Sequence, residues 1–145
     1  MKHLISSLVF VIGVAAAGTP AFAQQSGNLR VEFQGPGGHS SGAYGRVSAL
    51  HAAARAVILI QKALPARSYQ ITNLTGGNSV NSIASDGLFE LRLTASNAAA
   101  YKELVAAVTK AAAEGAAAEN AFRGVKPGDL TSGAPATVRS FVKPF

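Results

Sequence analysis

Cysteine is absent from the 145-residue chain, acidic residues number only seven, and no three like charges stand in a row. Without cysteine no disulfide can staple the fold, so an apolar core must hold it, which about 120 residues can manage. Hydrophobic residues make up 48% and charged residues 14%, which excludes disorder, and the length excludes a two-domain enzyme. From residue 24 onward 12 basic side chains face 7 acidic ones, a net +5 spread without clustering. A nucleic-acid-binding protein concentrates Lys and Arg on one face or stripe, so no nucleic-acid partner is expected.

No apolar run reaches the roughly 20 residues of a spanning helix. The run from Leu4 to Ala17 follows Lys2 and gives way to Pro20 and to Ala21–Phe22–Ala23. A basic residue, a short apolar stretch and small residues at an A-x-A position are the parts of a secretory signal peptide. The expectation is a signal peptide at 1–23 cleaved after Ala23, an exported chain (periplasmic or secreted), and no membrane contact after cleavage. Residues 24–27 are then a short tail and 28–145 one domain.

Leu29, Val31 and Phe33 alternate with Arg30, Glu32 and Gln34, the period of a half-buried strand. Gly35–Pro36–Gly37–Gly38 breaks it. From about Ser41 to Leu64 the residues Val47, Leu50, Ala54, Val57 or Ile58, and Leu64 fall at helical spacing, and Pro65 ends the pattern. Tyr69 to Thr75 is rich in β-branched and aromatic residues and stops at Gly76–Gly77, predicting a second strand. Asn78 to Asp86 reads as a loop. Leu88 to Thr94 alternates again, with Phe89, Leu91 and Leu93 on one side.

Ser96 or Asn97 caps a second helix whose stripe is Tyr101, Leu104, Val105, Val108 and Ala112, fading near Gly115 or shortly beyond. Residues 123–136 read as a loop and 137–142 as the last strand. The order β-α-β-β-α-β predicts an α+β, ferredoxin-like sandwich: a four-stranded antiparallel sheet with both helices on one face. Leu29, Val31, Phe33, Phe89, Leu91 and Leu93 are its predicted core.

Five words recur in order along this frame: Gly35 to Ser40, Val47–Ser48–Ala49–Leu50–His51–Ala52–Ala53, Gly76–Gly77, Asn81–Ser82–Ile83–Ala84 and Glu90–Leu91–Arg92. In these the sequence resembles the lid, or dimerisation, domain of the di-zinc exopeptidases of clan MH, the group that includes glutamate carboxypeptidase, aminoacylase and succinyl-diaminopimelate desuccinylase. The resemblance covers roughly Asn28 to Ala118. It departs from the family where Ala84 replaces the usual proline and Glu90 the usual aspartate.

The resemblance implies a self-associating module, two lids pairing through edge strands and first helices into one eight-stranded sheet. It also implies roles for three residues. His39 matches the histidine that reaches the partner subunit's active site as oxyanion donor; otherwise it fills a turn beside Ser40. Asn81 matches a substrate-contacting asparagine; otherwise it caps its own loop. Arg92 matches the arginine that grips a substrate carboxylate; otherwise it forms a surface ion pair with Glu90 or Glu32. Gly37, Gly38, Gly76 and Gly77 shape the loops, and His51 matches no functional position.

The family's hydrolytic chemistry needs an H-x-D strand end, a bridging aspartate and an adjacent Glu–Glu pair. From residue 24 onward there are two histidines, five glutamates and two aspartates, with no adjacent acidic pair and no H-x-D. No metal site or bound cofactor is expected of this chain, and zinc enters only if a separate catalytic zinc-peptidase chain supplies it. The readings are therefore a homodimeric lid module, an accessory subunit of a split zinc hydrolase, and a small peptide- or carboxylate-binding module. The Gly35 to Ser40 segment also echoes a dinucleotide loop, but its last position is serine and no acid follows about 20 residues on.

Overall fold

The computed structural model describes residues 23–145. The expected signal peptide lies outside the described residues apart from Ala23. The elements are β1 (Gln25–Gln34), β2 (Gly38–His39), α1 (Ser40–Ala43), α2 (Ala49–Ala63), β3 (Tyr69–Gly76), β4 (Ser82–Ile83), β5 (Asp86–Ala95), α3 (Ala98–Phe122), β6 (Leu130–Thr131), β7 (Ala134–Pro135) and β8 (Arg139–Pro144). The main sheet runs β3-β5-β1-β8, antiparallel throughout, with β3 and β8 at its edges. This is the ferredoxin-like α+β sandwich that the element order predicts.

Alternation on β1 and β5 decides which side of the sheet is covered. Leu29, Val31, Phe33, Phe89, Leu91 and Leu93 are all buried. Phe33 packs on Phe89 with ring centroids 6.2 Å apart. Full burial of each such side chain contributes about 1.5–3 kcal/mol. Both helices lie on this face, α2 over the β3–β5 side and α3 over the β1–β8 side.

Several boundaries differ from expectation, each for a local reason. Gln25, Ser26 and Gly27 are not a tail: they extend β1 and pair with Ala95, Thr94 and Leu93. The first helix is divided, because the Ser48 side chain accepts from His51 N and starts α2 there, leaving Ser40–Ala43 as one separate turn. The 78–86 loop holds β4, which pairs with β2. Likewise 123–136 holds the small hairpin β6–β7, and the last strand is Arg139–Pro144 rather than 137–142.

Gly115 does not end the second helix. It permits contact: a Cβ there would stand 2.8 Å from the Ala52 carbonyl oxygen and 2.9 Å from the Ala56 Cβ. The helix runs on to Phe122 and stops at Gly124, whose φ of +69° suits the left-handed turn after a helix.

The close approach also reassigns α2. Its inward side is Ala49, Ala52, Ala53, Ala56 and Ile60, all buried, with small residues at Ala52 and Ala56 where Gly115 of α3 comes closest. Leu50, Ala54 and Val57, part of the stripe read at helical spacing, are only half-buried, and Ile58 is 49% exposed. Among the described residues no helix is long and apolar enough to cross a membrane.

Candidate functional site

The loop after β1 and the loop after β3 meet through the short β2–β4 ladder, Gly38 opposite Ile83 and His39 opposite Ser82. Gly38 makes the meeting possible, with φ +138° and Ala43 so near that a Cβ would lie 2.6 Å from it. Gly37 is also in the left-handed region, and its carbonyl accepts from Arg46 Nη1 at 3.2 Å. On the other loop Gly77 has φ +74°, and Gly76 lies against the Asp86 carbonyl. The four glycines thus bring two distant segments together.

His39 and Asn81 are neighbours as a result. Asn81 Nδ2 is 3.0 Å from His39 Nε2, and Ser79 Oγ donates to Asn81 Oδ1 at 2.5 Å. Ser40 N donates to the Asn81 carbonyl at 2.8 Å, locking the loops at this point. His39 also starts α1, its Nδ1 lying 2.8 Å from Ser41 Oγ and 3.3 Å from Ser41 N. Both side chains are exposed. His39 therefore caps the turn beside Ser40, while the Asn81 side chain bridges to the ring rather than capping its own backbone.

The ring has two settings, each of which gives up one of these hydrogen bonds: Ser41 N to Nδ1 in the first, Ser79 Oγ to Asn81 Oδ1 in the second. With Asn81 Nδ2 donating to Nε2, the ring proton sits on Nδ1 and faces Ser41 Oγ. With the amide turned over, Nε2–H faces Oδ1 and Nδ1 accepts from Ser41 N. Only the second setting, or a ring carrying both protons, puts a hydrogen on Nε2, and in the second setting that hydrogen is already given to Asn81 Oδ1. Asn81 thus controls whether His39 can donate.

Arg92 is not part of this pair. Its β5 position is six residues from Asp86, where β5 meets the His39 end through Gly35 N and the Ser85 carbonyl. At about 3.3 Å per strand residue that is roughly 20 Å. It lies exposed on the uncovered sheet face between Asn28 and Gln70. The expected ion pairs do not form: Glu90 binds Arg30 at 2.6 Å and Glu32 binds Lys143 at 2.8 Å. Hydrogen bonds from Arg30, then from Asn73, hold the Glu90 carboxyl below its ordinary value of 4.5.

The one buried charge among the described residues carries no signal of its burial in the local sequence pattern. Glu119 of α3 is 0% exposed. Its Oε1 accepts from Ser48 N at 3.1 Å and Arg123 Nε at 3.3 Å, and its Oε2 from Arg55 Nε at 3.0 Å. His51 Nδ1 lies 3.8 Å from Oε1, so His51 joins this cluster. Phe122 sits between the Arg55 and Arg123 guanidinium groups, each 5.0 Å from its ring centroid. The nearest cue is an isolated acid in an alanine-rich helix with Arg123 one turn later.

Among the described residues no three His, Asp or Glu side chains form a group able to hold a metal ion. The donors among the described residues do not fit the zinc pair that the resemblance implies.

A family model described as a peptidase dimerisation domain matches residues 24–120. No curated protein matches the chain. Among solved structures, an aminobenzoyl-glutamate utilization protein from Klebsiella pneumoniae is 16% identical with a TM-score of 0.59, over 88% of this chain and 31% of that one. A hydantoinase/carbamoylase family amidase from Burkholderia ambifaria is 21% identical with a TM-score of 0.60, over 86% of this chain and 28% of that one. A tripeptidase from Staphylococcus aureus is 15% identical with a TM-score of 0.58, over 83% and 29%. The chain thus spans under a third of the length of the structures it matches, and at these identities the likeness is one of fold.

Proposed function

Since the chain belongs to the peptidase dimerisation domain family, we propose that it is a self-associating lid module, non-catalytic by itself, which pairs with a second copy through β3 and α2. One observation carries this reading. Three large apolar residues of α2, Leu50, Val57 and Ile58, are left half-buried or exposed, while its fully buried residues are four alanines and Ile60. They lie on the side of the molecule where β3 has a free edge carrying Leu74, itself 45% exposed.

An unpaired strand edge beside apolar helix residues favours pairing of identical copies. A two-fold antiparallel β3–β3 ladder gives an eight-stranded sheet with the two α2 helices side by side. Light scattering at tens of micromolar should report twice the chain mass, and Ile58→Asp should halve it. A wild-type monomer under these conditions refutes the reading.

The exposed His39–Asn81 pair favours a second reading, an accessory subunit whose donors serve a zinc-bearing chain encoded elsewhere. Turnover then appears only on mixing. His39→Ala should lower it by about 10²–10³-fold, the usual cost of losing one oxyanion donor. Export, to the periplasm or beyond, is part of the proposal and rests on Lys2, the Leu4 to Ala17 run and the Ala21/Ala23 pair. N-terminal sequencing of the native protein should find Gln24 first.

A further inference from the structure

Between the start of α2 and the turn after β3 lies a cleft of about 490 Å³, within the size range of small-molecule sites. It adjoins the His39–Asn81 pair, sharing Ser79 and Ser82 with that loop contact, although neither His39 nor Asn81 lines it. Its cationic side is Arg46, His51 and Arg123, and its apolar side includes Leu50, Ile83 and Val80. Among the described residues no Asp or Glu lines it. From these walls we infer that the cleft binds a small molecule bearing a carboxylate on an apolar body.

The cationic side is preorganised. Glu119, buried behind it, holds Arg123 by Nε and lies 3.8 Å from His51 Nδ1. Among the described residues the two Nη groups of Arg123 and Nε2 of His51 have no hydrogen-bond partner. Arg46 is held by the Gly37 carbonyl and Ser132 Oγ and makes no ion pair among the described residues. Glu119 is one negative charge against Arg46, Arg55 and Arg123, so the cluster keeps a positive excess that a single carboxylate complements. The N-cap amide, Ser48 N, is already taken by Glu119 and the first amide of α2, Ala49 N, by the Ala84 carbonyl, so the attraction comes from side chains.

A free alkyl carboxylate and the C-terminus of a hydrophobic peptide share this chemistry, and calorimetry separates them. Purified chain would be titrated with hexanoate, with acetyl-Leu-Leu and with acetyl-Leu-Leu-amide. Saturable binding is expected from at least one of the two acids and not from the amide, and which acid binds names the source. Arg46→Gln should weaken binding at least about tenfold, the loss of one charge-assisted contact. Val80→Asp should do the same without altering the melting temperature, since Val80 stands fully exposed at the rim and its replacement introduces a repelling charge.

Absence of saturation by either acid up to about 20 mM, equal binding of the amide, or an unweakened Val80→Asp variant overturns the assignment. Light scattering on the same samples keeps the two proposals apart. A monomer that binds removes self-association alone, and a dimer that does not bind removes the cleft alone.

Discussion

Gly115 on α3 and Ala52 on α2 meet so closely that the glycine's missing Cβ would stand 2.8 Å from the alanine's carbonyl oxygen. The approach sets how closely α3 sits on α2, and it leaves no room for larger side chains at Ala52 and Ala56. Gly115→Ala should therefore destabilise the fold by about 1–3 kcal/mol in urea unfolding, the cost of overpacking, despite alanine's better helix propensity. Gly42→Ala, in α1 with nothing within 4 Å of the added Cβ, should change stability by less than about 0.5 kcal/mol. Equal effects at the two sites would mean that the helices can part without cost.

Glu119 ties α3 to the first turn of α2. Replacing it by leucine keeps the volume but leaves the buried Ser48 N–H without an acceptor. A loss of about 1–3 kcal/mol is expected in chemical denaturation. An unchanged midpoint would show that the cluster adds nothing to the fold.

Glu90 gives the stability a pH dependence of known sign. Its carboxyl titrates lower in the folded chain than its ordinary value of 4.5. Its contribution is therefore fully present above that value and is lost as pH falls through it toward the depressed folded value. Urea midpoints measured from about pH 6 downward should fall on acidification, and Glu90→Gln should flatten the acid limb. A variant with the same pH profile as wild type would remove Glu90 from the account.

His39 and Asn81 should respond to one another. In Asn81→Ala the imidazole loses the amide that sets its tautomer, so the ring nitrogen shifts in ¹⁵N NMR at neutral pH should move toward a different mixture of Nδ1–H and Nε2–H forms. Unchanged shifts would show that the 3.0 Å contact does not persist in solution.

The sheet was legible because β1 and β5 carry strict alternation, and all six residues read as core are buried. The helices were less so, since a periodic stripe shows that a face is apolar but not what covers it. On α2 the periodic stripe contains Leu50 and Val57 or Ile58, while the inward side is four alanines and Ile60. Gly115 looked like a stop because glycine weakens isolated helices, whereas here it answers a tertiary contact. The His39–Asn81 pair joins residues 42 apart in sequence. Only the resemblance brought both to notice, and neither local pattern nor charge could have paired them. Glu119 was invisible because burying a carboxylate depends on Arg55 and Ser48, which another helix supplies.

The most direct test of self-association lies in the outward-facing amides of β3. Ser68 pairs with Thr94 by a backbone hydrogen bond at 2.9 Å, and in an antiparallel ladder bonded pairs alternate, so the Tyr69 and Ile71 N–H groups face away from β5. Residue-resolved hydrogen exchange should find these two amides protected at high chain concentration and exposed on dilution or in Ile58→Asp. Rapid exchange of both at every concentration would contradict pairing through this edge.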